Sequence, residues 1–175
     1  FNTSGAGKIN IVTGSNMAGK STFLRSVGVN MILAVMGAPV CAVKMTLSPL
    51  HVMTSMRIKD NLEESTSTFY AELKKLKMII DAVNDKQPVF MLLDEILRGT
   101  NSLDRHTGSM ALIRQLLKHD ATGIVATHDL ELAGMAEDFP SGIFNYYFDA
   151  ALDGEELYFD YTLKPGVCQN LNASI

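Results

Sequence analysis

Apolar residues along this chain alternate between short unbroken runs, as buried strands require, and longer stretches recurring every three or four positions, as helices require. Ile9 to Thr13 form a β-favouring run that Gly14 ends, which predicts a buried strand entering a loop. A helix is predicted from about Lys20, with Phe23, Leu24, Val27, Ile32 and Leu33 continuing to the stop signals Gly37 and Pro39. Met45 to Met56, interrupted by Pro49, reads as two short strands, and Arg57 to Thr66, polar and aperiodic, as a loop. Phe69, Leu73, Leu76, Ile80 and Val83 then mark one face of an amphipathic helix.

Pro88 to Leu93 predicts a second buried strand that stops at Asp94 and Glu95. Asp104 is a candidate cap for a helix running to about His119, and Thr122 to Thr127 is a third β-favouring run ending at His128. Strands alternating with helices imply parallel pairing through right-handed crossovers, which brings the three polar strand ends to one edge, where such sheets bind ligands. Ile143 to Phe148 and Leu157 to Leu163 flank the turn signal Asp153-Gly154 and predict a C-terminal hairpin. The expected fold is α/β, a mostly parallel central sheet flanked by helices.

Composition narrows this picture. The 175 residues match one domain at about 150 residues per domain. At 47% hydrophobic, they supply a core without staples. Cys41 and Cys168 have no metal-ligand spacing, which fits a reducing, cytoplasmic compartment. The longest apolar stretch, Val27 to Val43, falls short of the ~20 residues of a membrane span and carries Asn30, Gly37 and Pro39. No membrane association is expected. The chain opens on Phe1 without a signal-peptide pattern, as a piece of a longer protein would. Residues 1–59 hold six Lys or Arg and no acid, and residues 60–175 hold nine basic and nineteen acidic side chains. Anions should prefer the N-terminal part, although buried strands and helices also simply carry few charges. Between Lys118 and Lys164 there is no Lys or Arg, a poor basis for gripping a phosphate backbone.

Gly14-Ser15-Asn16-Met17-Ala18-Gly19-Lys20-Ser21 matches G-x-x-x-x-G-K-[ST] between a predicted strand and a predicted helix, the phosphate-binding loop. Backbone N–H groups would wrap the phosphates, Lys20 would reach the β and γ oxygens, and the Ser21 hydroxyl would ligate Mg²⁺. Asp94, at the second strand's end, is the candidate Mg²⁺ partner, and Glu95 beside it the candidate to orient an attacking water. His128 is placed to hydrogen-bond a γ-phosphate, though a His after a strand is usually structural.

These residues resemble the MutS mismatch-repair proteins and their MutS-like relatives, within the ABC-type ATPases of the P-loop NTPase fold. Thr13 through Thr22 resembles the family phosphate loop, the Asn16-Met17 pair most specifically. Ser67-Thr68-Phe69 with Glu72 resembles its signature segment, Leu93 through Ile96 with Arg98-Gly99-Thr100 its Walker B and following loop, and Ala126-Thr127-His128 its switch histidine. The resemblance implies a single ATPase domain over 1–175, with DNA-binding, lever and clamp domains outside this chain. It also implies a homodimer in which Ser67 reaches the γ-phosphate held by the other subunit, and Tyr161 against adenine. Ser67 equally suits a cap on its own helix, and a strand Tyr is commonly a packing residue. Against the family pattern, Ser15 stands for Pro, and Ala18, Ser65, Leu97 and Arg105 for Gly, as in a divergent branch.

Two functions remain. One is a Mg²⁺-dependent ATPase domain coupling nucleotide state to a dimeric DNA clamp, with Glu95, His128 and Lys20 catalytic. The other is a nucleotide-sensing dimerisation module with negligible turnover. A P-loop small-molecule kinase is disfavoured because no Arg-rich lid segment is visible.

Overall fold

A computed structural model of the chain describes residues 2–3, 5–15, 17–56, 65–153 and 156–168, with the side chains of 65–68, 151–153 and 156–157 left aside. The chain runs β1 (Ile9–Thr13), α1 (Lys20–Val35), β2 (His51–Ser55), α2 (Ser65–Asn84), β3 (Val89–Asp94) and α3 (Ser102–Lys118). It continues through β4 (Thr122–Ala126), α4 (Leu130–Asp138), β5 (Ile143–Phe148), β6 (Ala151–Asp153), β7 (Glu156–Tyr158) and β8 (Leu163–Pro165).

Among the described residues the strands form a six-stranded sheet in the order β2-β3-β4-β1-β5-β8. All pairs are parallel except β5 with β8. Period-two alternation sends neighbouring side chains to opposite faces. On one face Ile9, Ile11, Met91, Leu93 and Val125 pack with Leu76, Ile79 and Val83 of α2, Ile113 and Leu116 of α3, and Leu132 and Met135 of α4. On the other, Val12, Phe90, Leu92, Ile124 and Ala126 pack with Leu24 and Met31 of α1. Helices therefore cover both faces, and β1, β3 and β4, buried on both, read as the continuous β-favouring runs seen in the sequence, with Asn10 the one polar side chain inside β1. No helix among the described residues is long and apolar enough to cross a membrane.

Several expectations are corrected. Met45 to Met56 holds one strand, β2, because the segment pairs with β3 only from His51, two residues beyond Pro49. The amphipathic helix begins at Ser65, inside the loop expected to run to Thr66, since Ser and Thr are readily accommodated in a first turn whose N–H groups lack helical partners. Of the expected loop, residues 57–64 lie outside the described part. Asp104 is not the cap of α3. Asn101 is: its Oδ1 accepts from the Asp104 N–H at 2.9 Å, and its Nδ2 donates to Asp104 Oδ2 at 2.7 Å. The C-terminal hairpin is split: β6 and β7 pair with each other in a separate ribbon, while β5 pairs with β8. Gly154, at the expected turn, lies outside the described residues. α4 was not expected, because its nine residues give only a short apolar pattern behind the Asp129 cap.

Ile11 is fully buried at the centre of the sheet, so Ile11→Ala should lower unfolding free energy by about 2–5 kcal/mol in urea titration. Val29→Ala, on the exposed side of α1, should stay within about 0.5 kcal/mol.

Candidate functional site

Register sets the site. Val12 and Asp94 both lie level with Ala126, so the ends of β1, β3 and β4 present Thr13, Asp94 and Thr127 along one edge. From β1 the chain turns through Gly14 and Ser15, and Gly19 opens α1 at φ 97° with no side-chain cap. That conformation suits glycine, and a Cβ there would come within 3.0 Å of the Tyr161 ring. A helix start uncapped by its own chain keeps first-turn N–H groups for an anion. Met17 is exposed, Ala18 buried and Thr22 exposed, and Asn16 lies outside the described residues.

Lys20 is buried and folds back over the loop, donating from Nζ to Gly14 O at 2.6 Å and Ser15 O at 2.8 Å. Burial pushes its ammonium below the usual lysine range, while the Glu95 and Asp94 carboxylates pull it back up in part. Ser21 Oγ donates to Asp94 Oδ2 at 2.6 Å, which joins the start of α1 to the end of β3. Asp94 Oδ1 is buried with no hydrogen-bond partner, an arrangement that suits a divalent cation shared with the Ser21 hydroxyl.

Glu95 follows at φ 47°, its N–H bound to Ala126 O at 2.8 Å. Its carboxylate meets His128 Nδ1 through Oε1 at 3.3 Å and the Arg98 guanidinium through Oε2 at 2.8 Å. The structure thus brings Lys20, Ser21, Asp94, Glu95 and His128 to one edge of the sheet. Tyr161, exposed and at φ 51°, lies with its ring against Gly19. Ser67 is the third residue of α2, inside the helix instead of ahead of it, and its side chain lies outside the described part.

Three connections go beyond the sequence pattern, the Glu95–Arg98 pair among them. Glu72 Oε1 accepts the Leu97 N–H at 2.6 Å, tying α2 to the loop after Glu95. His106 of α3 meets Asp129 Oδ2 through Nδ1 at 2.7 Å and Glu131 Oε2 through Nε2 at 3.1 Å, tying α3 to the segment behind His128. The i,i+3 spacing of Glu95 and Arg98 was a usable signal for their contact. Nothing local signals the other two.

Residues 10–173 match the family model for MutS domain V. The chain belongs to the MutS domain V family. Its similar relatives include the DNA mismatch repair protein MutS of Natronomonas pharaonis, 34% identical over 163 residues, which are 91% of this chain and 18% of that protein. The MutS proteins of Thermotoga petrophila and Thermotoga neapolitana are 33% and 32% identical over 158 and 161 residues, covering 90% and 91% of this chain and 20% of each relative. The chain spans about a fifth of the length of these relatives. Leu97, where the motif resemblance puts glycine, sits at φ 60°, a conformation in which glycine is unstrained.

Gly19→Ala introduces a side chain at positive φ and against Tyr161. It should lower stability by about 1–3 kcal/mol in thermal denaturation followed by circular dichroism.

Proposed function

We propose that this chain is the ATPase domain of a MutS-family protein, an ABC-type P-loop domain over 1–175 that binds ATP and ADP with Mg²⁺ and hydrolyses ATP. The observation that carries the reading is the Ser21–Asp94 hydrogen bond with Asp94 Oδ1 left unpartnered beside it, one residue before Glu95. Hydroxyl, carboxylate and base candidate stand together at the mouth of a glycine loop.

The loop residues Gly14 to Thr22 hold the phosphates, with Lys20 exchanging its two loop carbonyls for β and γ oxygens. The added negative charge favours its ammonium, which burial alone disfavours. Ser21 and Asp94 would hold Mg²⁺, which neutralises charge on the phosphate oxygens when bound. Glu95 orients the water whose oxygen bonds to the γ-phosphorus as the bond to the bridging oxygen breaks, and Glu95 or solvent takes the proton. His128 donates toward the γ-phosphoryl group, and Tyr161, over Gly19, stacks on adenine. Donors approach the γ-phosphate from one subunit only, and the first turn of α2, with Ser67, supplies the remaining side from a second copy. In the whole protein, cytoplasmic and dimeric, nucleotide state then sets the conformation of a DNA clamp. DNA contacts reside outside this chain, whose residues 119–163 hold no Lys or Arg.

A second reading, a nucleotide-sensing dimerisation module with negligible turnover, draws on one observation: Arg98 and His128 engage both Glu95 carboxylate oxygens.

Calorimetry should give micromolar-scale Mg-ATP affinity that Lys20→Ala weakens by about tenfold or more. Glu95→Gln should keep that affinity and lose hydrolysis on the order of 10²-fold or more. Equal binding by wild type and Lys20→Ala removes the loop as the site, and normal single-turnover hydrolysis by Glu95→Gln removes Glu95 as the base.

Mixing Ser67→Ala with Lys20→Ala subunits should restore activity, because a mixed dimer holds one site with both residues intact. No recovery in proven heterodimers would sink the composite site.

A further inference from the structure

Arg98 grips Glu95 twice: one terminal guanidinium nitrogen lies 2.8 Å from Oε2, and Nε donates to the Glu95 main-chain carbonyl at 3.1 Å. The pair is largely shielded from solvent, with the Glu95 side chain 13% and the Arg98 side chain 31% exposed, so water screens it little. Oε2 held this way is turned to the guanidinium and not to a water, while Oε1 faces His128 Nδ1 at 3.3 Å. The site is therefore assembled with its base engaged.

What positions Arg98 is the preceding residue. Leu97 stands at φ 60°, a strained conformation for a branched side chain, and its N–H is fixed by Glu72 Oε1 at 2.6 Å. Its side chain lies directly over Gly108 of α3. One residue beyond Arg98, Gly99 lies under the Phe69 ring so closely that a Cβ there would fall 2.5 Å from Phe69 Cδ2. Glu72 and Phe69 both belong to α2. The loop that carries Arg98 is thus pinned chiefly by α2, whose first turn includes Ser67.

We propose that Arg98 is a latch that holds Glu95 in a resting pose, and that Glu72, through the Leu97 N–H, is the positioning residue keeping the latch closed. Displacement of α2 relative to the sheet releases Leu97, lets Arg98 withdraw and frees the Glu95 carboxylate for water. The inference rests on the ATPase reading above and adds a regulation to the same site. A movement at the start of α2, where a second copy is proposed to engage, would reach the base through one hydrogen bond and one ion pair.

The experiment measures Mg-ATP affinity by calorimetry, single-turnover hydrolysis, and the hydrogen exchange of the Leu97 amide by NMR, on variants whose melting shows that they are folded. Arg98→Ala should raise the single-turnover rate at least about fivefold while affinity stays within about twofold, and Arg98→Lys, which keeps a cation there, should rise less. Glu72→Ala should speed Leu97 amide exchange at least about tenfold and raise hydrolysis in the same direction. Glu72→Gln, which retains a carbonyl acceptor, should leave both near wild type. Adding Glu95→Gln to Arg98→Ala should abolish the gain. Intact Mg-ATP affinity with a rate that is unchanged or lower in Arg98→Ala overturns the latch and leaves the ATPase reading standing. Unchanged Leu97 exchange in Glu72→Ala overturns the role of Glu72 without reference to activity. Wild-type chain that does not bind Mg-ATP overturns the ATPase reading itself, and the latch with it.

Discussion

Parallel pairing of β1 with β4 and of β4 with β3 puts Val12 and Asp94 level with Ala126, and every chemical group of the site inherits its place from that register. A one-residue slip of β3 would turn Asp94 to the opposite face of the sheet. Burial on both faces resists such a slip, because it would also bring Leu92 and Leu93 out of their separate cores. The hydrogen bond from Ser21 Oγ to Asp94 Oδ2 is the visible product: a helix start and a strand end, 73 positions apart in sequence, meet at 2.6 Å.

Charge at this edge is balanced by geometry. Lys20, Asp94, Glu95 and Arg98 bring two positive and two negative groups together, and the first two are almost fully buried. A buried charge without partners is destabilising, so each is held: Lys20 by two carbonyls, Asp94 by the Ser21 hydroxyl, Glu95 by Arg98 and His128. Asp94 Oδ1 is the exception, and it is the atom at which a cation would be most favoured.

Glu95 and Leu97 both occupy positive-φ conformations, each costing about 1–3 kcal/mol. Backbone and packing elsewhere hold them there: the Glu95 N–H on Ala126 O, the Leu97 N–H on Glu72, and the Leu97 side chain over Gly108. Strain of this kind is set beside chemistry, in a loop clasped between two helices. The substitution of leucine for the glycine of the motif resemblance increases that strain and adds a side chain that packs on α3.

Elements with unambiguous local chemistry were legible in the sequence. β1, β3 and β4 follow from β-favouring runs, α1 from its apolar positions and the Gly37 stop, and the glycine loop with Lys20, Ser21, Asp94 and Glu95 from the spacing between those elements. The split of the C-terminal hairpin, the cap of α3 at Asn101 and the helix α4 were not legible. The cap of α3 turned on two near-equal local candidates, Asn101 and Asp104, and α4 is too short to show a clear apolar period, while a distant neighbour decided the hairpin, β5 taking β8 as its partner. The hold of Glu72 on Leu97 is of the same kind. Composition and spacing determined which groups this chain possesses and the order in which strands deliver them. Only the tertiary structure decided that the Glu72 carboxylate takes the Leu97 N–H and that His106 meets Asp129, because hydrogen bonds between residues 25 or 23 positions apart leave no periodic trace in the sequence.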